Sequence, residues 1–292
     1  MIRDVASVAT CALAGAAAGI AAFKLMESSS RRAVSSAATA RGIACKAATP
    51  SPATAGTTAA GKRLTLHCYD HCPYCIRVEL TMGFLGLPYD RVVYGYGDAS
   101  ETTGPKKLLG KKVLPVLELE DGSMMMESLD IVAYLDARAG GPAFARLAPQ
   151  TGRFAEWLAR YKPVQRLLYR PRILKMPIVD WTDDAARDVG YARAKYTKQG
   201  FDYDAAEAGT ADQIKAVNAL LGELDALLHP GAAAGGACNA WGPSLDDVTL
   251  LPDLRTLTCV AGVAWPAGLR AYMEAAFARP GVHAELYDEH AC

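Results

Sequence analysis

The sequence predicts an α/β domain over residues 62–140 followed by an all-helical domain over 151–292. Three observations carry that expectation. Residues 63–68 alternate in a β-rich pattern and lead, through Cys72-Pro73-Tyr74-Cys75, into an amphipathic stretch. Strand-like and helix-like segments then follow one another as far as Arg138. Beyond a Gly/Pro/Ala-rich linker at 141–150, apolar positions recur at helical spacing only.

The elements follow in order. After the strand at 63–68, the apolar run 76–85 reads as a helix ended by Gly86. A Leu87-Pro88 turn precedes a second strand at 89–94, and 100–109 can form a helix. Residues 113–118 read as a strand with Pro115 inside it, which a sheet tolerates only at an edge, at a bulge or as a cis bond. Gly122-Ser123 turns into a short strand at 124–126, and Glu127-Ser128-Leu129-Asp130 opens a helix at 131–138. Strand, C-x-x-C, helix, then αββα is the order of a thioredoxin-like fold. In the second half helices are expected near 151–169, 183–200, 208–229, 244–263 and 267–278, with a loose loop at 232–236. Ser244-Leu245-Asp246-Asp247 is a capping box with Asp in place of Glu or Gln. Trp157, Trp181, Trp241 and Trp265 are expected in core or interdomain packing, as is Cys259.

About half of the residues are hydrophobic, about a fifth are charged, and the formal net charge is zero. That is a globular balance with no nucleic-acid-binding face. Residues 1–61 differ. The stretch 5–23 is apolar and uncharged, and 28–60 is rich in Ser, Thr and Ala with Arg31, Arg32 and Arg41 and almost no acid. Such a segment cannot bury a core and has the composition of an organelle transit peptide, with a plastid favoured over a mitochondrion. Gly42-Ile43-Ala44-Cys45-Lys46 resembles a plastid processing site. The apolar stretch reads either as an entry signal that is removed or as a membrane anchor of bilayer length.

Eight cysteines are too sparse for a secreted disulfide framework, and Cys68, Cys72 and Cys75 cluster within eight residues. At such a site Pro73 needs no backbone N–H and favours helix entry, so Cys72 lies over the unpaired amides of the helix start. A thiolate is stabilised there and its pKa falls. Cys75, one turn in, is suited to resolve a mixed disulfide. Half of a zinc site is the rival reading, although no second C-x-x-C or His pair follows at finger spacing. Tyr74 reads equally as a packing aromatic or as an exposed platform for substrate. Ser128-Leu129-Asp130 by itself suits a plain helix cap. Arg170, Arg172 and Arg187 suit solvated faces, or an acidic substrate.

Tyr69-Asp-His-Cys-Pro-Tyr-Cys75, Leu114-Pro115-Val116-Leu117 and Glu127-Ser-Leu-Asp-Ile131 together resemble the glutaredoxin 2 family, the glutaredoxins with a glutathione-transferase-like fold. The resemblance continues through Ala155-Glu-Trp-Leu158, Arg170-Pro-Arg172, Ser244-Leu-Asp-Asp247 and Trp265-Pro266, covering roughly 63–285. It implies that Cys72 is the nucleophile, Cys75 the resolving thiol and Pro115 a cis-proline facing them. It also implies that Leu114 pairs its backbone with the cysteinyl part of glutathione, and that Glu127 and Ser128 hold the γ-glutamyl end. The chain departs from the family in that Leu114 stands between Val113 and Pro115, where the family has Val directly before the proline.

The expected function is a glutathione-dependent thiol–disulfide oxidoreductase acting on protein disulfides and glutathionylated clients. It is expected to be monomeric, with glutathione as co-substrate and no bound cofactor or metal. Two alternatives stand beside it. One is an isomerase resembling membrane-associated prostaglandin E synthase type 2, and the other a non-catalytic adaptor that binds glutathione or a metal.

Overall fold

The computed structural model describes residues 63–139, 152–181 and 184–292. The expected presequence, the apolar stretch 5–23, Cys11, Cys45 and the linker 141–150 lie outside the described residues. No helix among the described residues is long and apolar enough to cross a membrane.

The first lobe is built on β1 (Leu64–Cys68), α1 (Pro73–Leu85), β2 (Tyr89–Val93), α2 (Lys106–Leu109), β3 (Val116–Glu118), β4 (Met124–Met125) and α3 (Ser128–Arg138). Its sheet runs β2-β1-β3-β4. β1 is parallel to β2, with Leu64 opposite Tyr89, and antiparallel to β3, with His67 opposite Val116. β1 is thus central, and Leu66 and Leu117 lie fully buried beneath the helices. The parallel β1–β2 pair requires a crossover, which α1 provides. Gly86 ends α1 at φ 65°, a left-handed position that a residue without Cβ takes at no steric cost. Gly83 lets the 280–282 segment cross α1 closely, since a Cβ there would lie 2.4 Å from the Val282 side chain.

The second lobe contains α4 (Ala155–Ile173), α5 (Ala185–Lys198), α6 (Tyr203–Ala208), α7 (Thr210–Leu227), α8 (Ala232–Gly235), α9 (Leu245–Leu257) and α10 (Ala267–Phe277). A 3₁₀ turn at Val179–Trp181 lies between α4 and α5. Trp157 and Tyr161 of α4 stack at 4.4 Å, and Trp157 Nε1 donates to the Leu220 carbonyl of α7, which satisfies the indole in the core. The large apolar cluster of this lobe also takes in Tyr69, Ile76, Leu80 and Tyr96 of the first, while a second cluster inside the first lobe gathers Leu66, Val78, Leu117, Ile131 and Leu135 between sheet and helices.

Several boundaries differ from expectation for identifiable reasons. The helix expected over 100–109 shrinks to Lys106–Leu109. Asp98 accepts from the Ser100 amide, and Ser100 Oγ from the Thr102 and Thr103 amides, so side chains compete for the backbone. The strand expected from 113 starts only at Val116, since Pro115 ahead of it has no N–H to give to a ladder; the Leu114–Pro115 bond is cis. The helix expected over 208–229 begins at Thr210, and a separate short helix capped by Asp202 precedes it. The loose loop at 232–236 contains α8, and the helix expected to reach 263 ends at Leu257. Trp157 and Trp181 are buried and Trp265 packs against the core, but Trp241 is 59% exposed and takes no part in core packing. Ser244 is the N-cap of α9 and accepts from the Asp247 amide, as its motif predicts.

Candidate active site

Cys72 is the N-cap residue of α1 and Pro73 the first helical residue. The amides of Cys75 and Ile76 both donate to the Cys72 carbonyl at 3.0 Å. The Cys72 thiol is partly exposed, whereas Cys75 is 1% exposed, with the Tyr69 amide 3.4 Å from its sulfur. Geometry therefore gives the two thiols opposite character. The Cys72 pKa is lowered to about 6, first by the hydrogen bond from Cys75, then by the charge of His71 and the amides of Cys75 and Tyr74, against the penalty of burial. Burial and the neighbouring Cys72 push Cys75 well above the ordinary thiol range. A thiol so lowered is largely ionised at neutral pH, whereas its partner keeps its proton.

Among the described residues, the other buried cysteines carry no comparable chemistry. Burial pushes Cys68 and Cys259 up to about 12 and raises Cys238 further, as expected of thiols used for packing. Among the described residues no group of three or more His, Cys, Asp or Glu side chains could hold a metal ion. Both nearby histidines are engaged elsewhere. His67 bonds Tyr94 Oη at 2.8 Å and Glu118 at 3.2 Å, and His71 Nδ1 bonds Asp180.

The loop 69–72 is held almost wholly by the helical lobe. Asp180, fully buried in the 3₁₀ turn, accepts from the amides of Asp70 and His71, each at 2.8 Å, and from the His71 ring. Tyr169 Oη of α4 donates to the His71 carbonyl, and Arg255 Nη1 of α9 to the Asp70 carbonyl. Arg255, 2% exposed, also bonds the Asp70 carboxylate at 2.9 Å, which Arg91 of β2 meets from the other side at 2.5 Å. These two guanidiniums hold the Asp70 carboxyl below its usual range despite its burial. The His71 ring is boxed by Tyr96 at 4.4 Å and Trp181 at 5.2 Å. The ring next to Cys72 in the chain is thus fixed by groups distant in sequence.

Pro115 is buried and Leu114 partly so, packed against both apolar clusters. Because Pro115 directly precedes Val116, the partner of His67, it lies at the same end of the sheet as the Cys72 turn. Glu127 is exposed at φ 69° and ψ 106°, an uncommon backbone for a residue with a side chain, and makes no side-chain cap bond. Such strain costs about 1–3 kcal/mol and gathers at ligand sites. Ser128 is the first residue of α3 rather than its N-cap, so the plain cap reading is replaced by another contact. Its Oγ accepts from Arg77 Nη1 at 3.0 Å. The first bond of α3 runs from the Ile131 amide to the Glu127 carbonyl, leaving the three preceding amides at the helix start outside the helical ladder. Tyr74 is 56% exposed, which favours platform over packing, and Arg77 lies 5.4 Å from its ring centroid.

Asp180, Tyr169, Arg255 and Arg77 escape a reading by local motif. The available signal for Arg255 is a charge inside the apolar run of α9, which a globular helix buries only when paired. Arg172 donates to the Leu168 and Cys292 carbonyls, Arg187 pairs with Asp188, and Arg170 lies 4.4 Å from the Tyr196 ring centroid.

Comparison with known proteins bears on the fold and the family. The family profile described as Glutaredoxin 2, C terminal domain, matches residues 153–291, and that of the Glutathione S-transferase N-terminal domain matches 66–143. Glutaredoxin 2 of Escherichia coli (strain K12) is 31% identical over 211 residues, covering 72% of this chain and 93% of that protein. Protein IN2-1 homolog A of Oryza sativa subsp. japonica is 30% identical over 131 residues, covering 44% of this chain and 53% of its own. Among solved structures, glutaredoxin 2 from Salmonella typhimurium in complex with glutathione superposes with a TM-score of 0.69 at 29% identity, over 79% of this chain and 100% of that one. With a thioredoxin-like lobe, a helical lobe and this relationship over both, the chain belongs to the glutaredoxin 2 family.

Proposed function

We propose that this chain is a glutathione-dependent thiol–disulfide oxidoreductase that removes glutathione from mixed disulfides and reduces protein disulfides. The observation that carries the reading is the split between the two thiols, with Cys72 lowered to about 6 and Cys75 buried and raised. The Cys72 thiolate attacks the glutathionyl sulfur of a client mixed disulfide. That S–S bond breaks, the client thiolate leaves and takes up a proton, and Cys72 carries the glutathionyl group. A second glutathione thiolate then attacks that group, forming glutathione disulfide and freeing the Cys72 thiolate. With a protein disulfide, Cys72 forms the mixed disulfide and Cys75 resolves it, leaving a Cys72–Cys75 disulfide for two glutathiones to reduce.

Leu114 and Pro115 are assigned to the cysteinyl part of glutathione and Tyr74 to a contact face beside it. Glu127 and Ser128 are assigned to its γ-glutamyl end, where a carboxylate can meet the unpaired amides of α3 and an ammonium the Glu127 carboxylate. That the Salmonella relative is solved in complex with glutathione supports glutathione as the ligand of this fold. The full chain should reduce a small glutathione mixed disulfide in the presence of glutathione and its reductase, and Cys72→Ser should abolish that turnover. Activity surviving Cys72→Ser would overturn the assignment. Lipid-peroxide isomerisation in place of thiol exchange would support the isomerase alternative, and metal bound stoichiometrically to the reduced chain would support the adaptor.

The plastid address, removal of 5–23 and the monomeric state are likewise proposals. The mature N-terminus read by mass spectrometry, and sedimentation of the purified chain, test them.

A further inference from the structure

Cys259, just past the end of α9, is fully buried and has an exposed thiol beside it, that of Cys292. The Cys292 amide donates to the Cys259 carbonyl at 3.0 Å, and the Cys292 carbonyl accepts from the Ala261 amide at 3.2 Å. Arg172 Nε of α4 donates to that same Cys292 carbonyl at 2.7 Å. Residues joined by a backbone bond of this kind stand about 5.5 Å apart at Cα, inside the window of about 4.4–6.8 Å that a disulfide takes. The two side chains also bear on each other. After burial, the charge of Cys292 is the largest cause raising the Cys259 thiol to about 12, and Arg172 acts the other way. The Cys259 Sγ donates to the Thr256 carbonyl at 3.1 Å, a weak bond that a sulfur gives up at little cost.

The segment that brings Cys292 back to α9 is fixed along its length. Tyr89 Oη donates to the Gly281 carbonyl at 2.8 Å, and Glu79 accepts from the His283 amide at 2.7 Å. Arg255 Nε donates to the Glu285 carbonyl at 2.6 Å, and the Tyr287 amide to Thr258 Oγ1 at 2.8 Å. Joining the two sulfurs therefore needs side-chain rotation and no backbone rearrangement. Cys292 also lines a cavity of about 250 Å³ with Arg172 and Lys175, which gives a small anionic disulfide a way to it. We infer that Cys259 and Cys292 are a second dithiol, which glutathione disulfide oxidises to an intrachain disulfide locking Cys292 to the end of α9. The Cys292 thiolate attacks one sulfur of glutathione disulfide, whose S–S bond breaks and releases one glutathione thiolate. Cys292, now in a mixed disulfide, no longer bears the charge that opposed ionisation of Cys259. The Cys259 thiol gives its proton to solvent, attacks the Cys292 sulfur and expels the second glutathione. The two cysteines lose two electrons and two protons, and the two glutathiones take them up. This chemistry is independent of the oxidoreductase reading of Cys72.

The test uses the full chain carrying Cys72→Ser and Cys75→Ser, so that the first dithiol contributes nothing. After equilibration with glutathione disulfide, free thiols are alkylated in denaturant and the digest is mapped by mass spectrometry. A linked pair of peptides carrying Cys259 and Cys292 is expected, and excess glutathione should dissolve the link. The oxidised chain should melt roughly 5–15 °C above its reduced form, because the bond closes the loop from 259 to 292 in the unfolded state. Adding Cys292→Ser, an exposed change, should leave folding intact and abolish the oxidation-dependent shift. Cys292 recovered as a lasting glutathione mixed disulfide beside an alkylated Cys259 overturns the inference. So does Cys292 bonded to any other cysteine, or both thiols recovered alkylated.

Discussion

Replacing Cys75 by Ala removes the hydrogen bond that ranks first among the causes lowering the Cys72 pKa to about 6. In the limiting case the pKa returns to the free value of about 8.5. At pH about 7 the thiolate fraction would then fall about 30-fold, from ~90% to ~3%. A more basic thiolate is also a better nucleophile, by about 10-fold for this change at a Brønsted slope of ~0.45. The two effects nearly cancel, leaving a net loss of attack rate of only ~2-fold near pH 7. Near pH 6 the loss grows to ~10-fold, and above pH ~9 the variant becomes the faster by ~10-fold. His71 and the helix-start amides remain, so the observed shifts should lie between these limits and zero. Single-turnover alkylation of Cys72 across pH reads the effect without needing the resolving thiol. A variant profile that parallels the native one, with no crossing point, would falsify the assignment of Cys75 as the donor. The near-cancellation also implies that a low Cys72 pKa serves chiefly the step in which Cys72 is the leaving group.

Asp180→Asn keeps the side-chain shape but aims an NH₂ group at donors of the 69–72 loop. It should cost about 1–3 kcal/mol in chemical denaturation and move the Cys72 alkylation profile to higher pH. An unmoved profile would separate His71 from the thiolate. Arg255→Ala leaves the Asp70 carboxylate with Arg91 alone and empties a buried guanidinium site. A loss of about 3–5 kcal/mol is expected from urea melts, and one under about 1 kcal/mol would show the Asp70–Arg255 pair to be solvated in practice. The Cys72 pKa in the fold lies below its unfolded value, so its contribution is absent below about 6, grows with pH and is complete above about 8.5. At pH about 7 it amounts to about 1.4 kcal/mol. Melts of the reduced protein near pH 6 and pH 8, set against Cys72→Ser, isolate that term, and identical pH slopes for the two would contradict it.

How much was legible depends on the range of the interaction. β1, α1 and the Cys72-Pro73-Tyr74-Cys75 turn are local, set by alternation, by proline at the first helical position and by glycine at the end, and they appear where expected. α2 and the start of β3 fell short of expectation because side-chain competition and the missing N–H of Pro115 decide them, and neither shows in periodicity. Trp241 was misplaced because apolar character alone does not distinguish a core tryptophan from an exposed one.

By itself the sequence determined that a dithiol stands at a helix start, that a strand proline and a Glu-Ser helix opening follow it, and that a helical half completes the chain. Only the tertiary structure decided how the thiol is tuned. Asp180, Tyr169 and Arg255, roughly 100 to 185 positions along the chain from the 69–72 loop, provide the hydrogen bonds that hold it. A buried charge or amide takes whichever partner the fold brings within about 3 Å, and no spacing in the chain encodes that meeting.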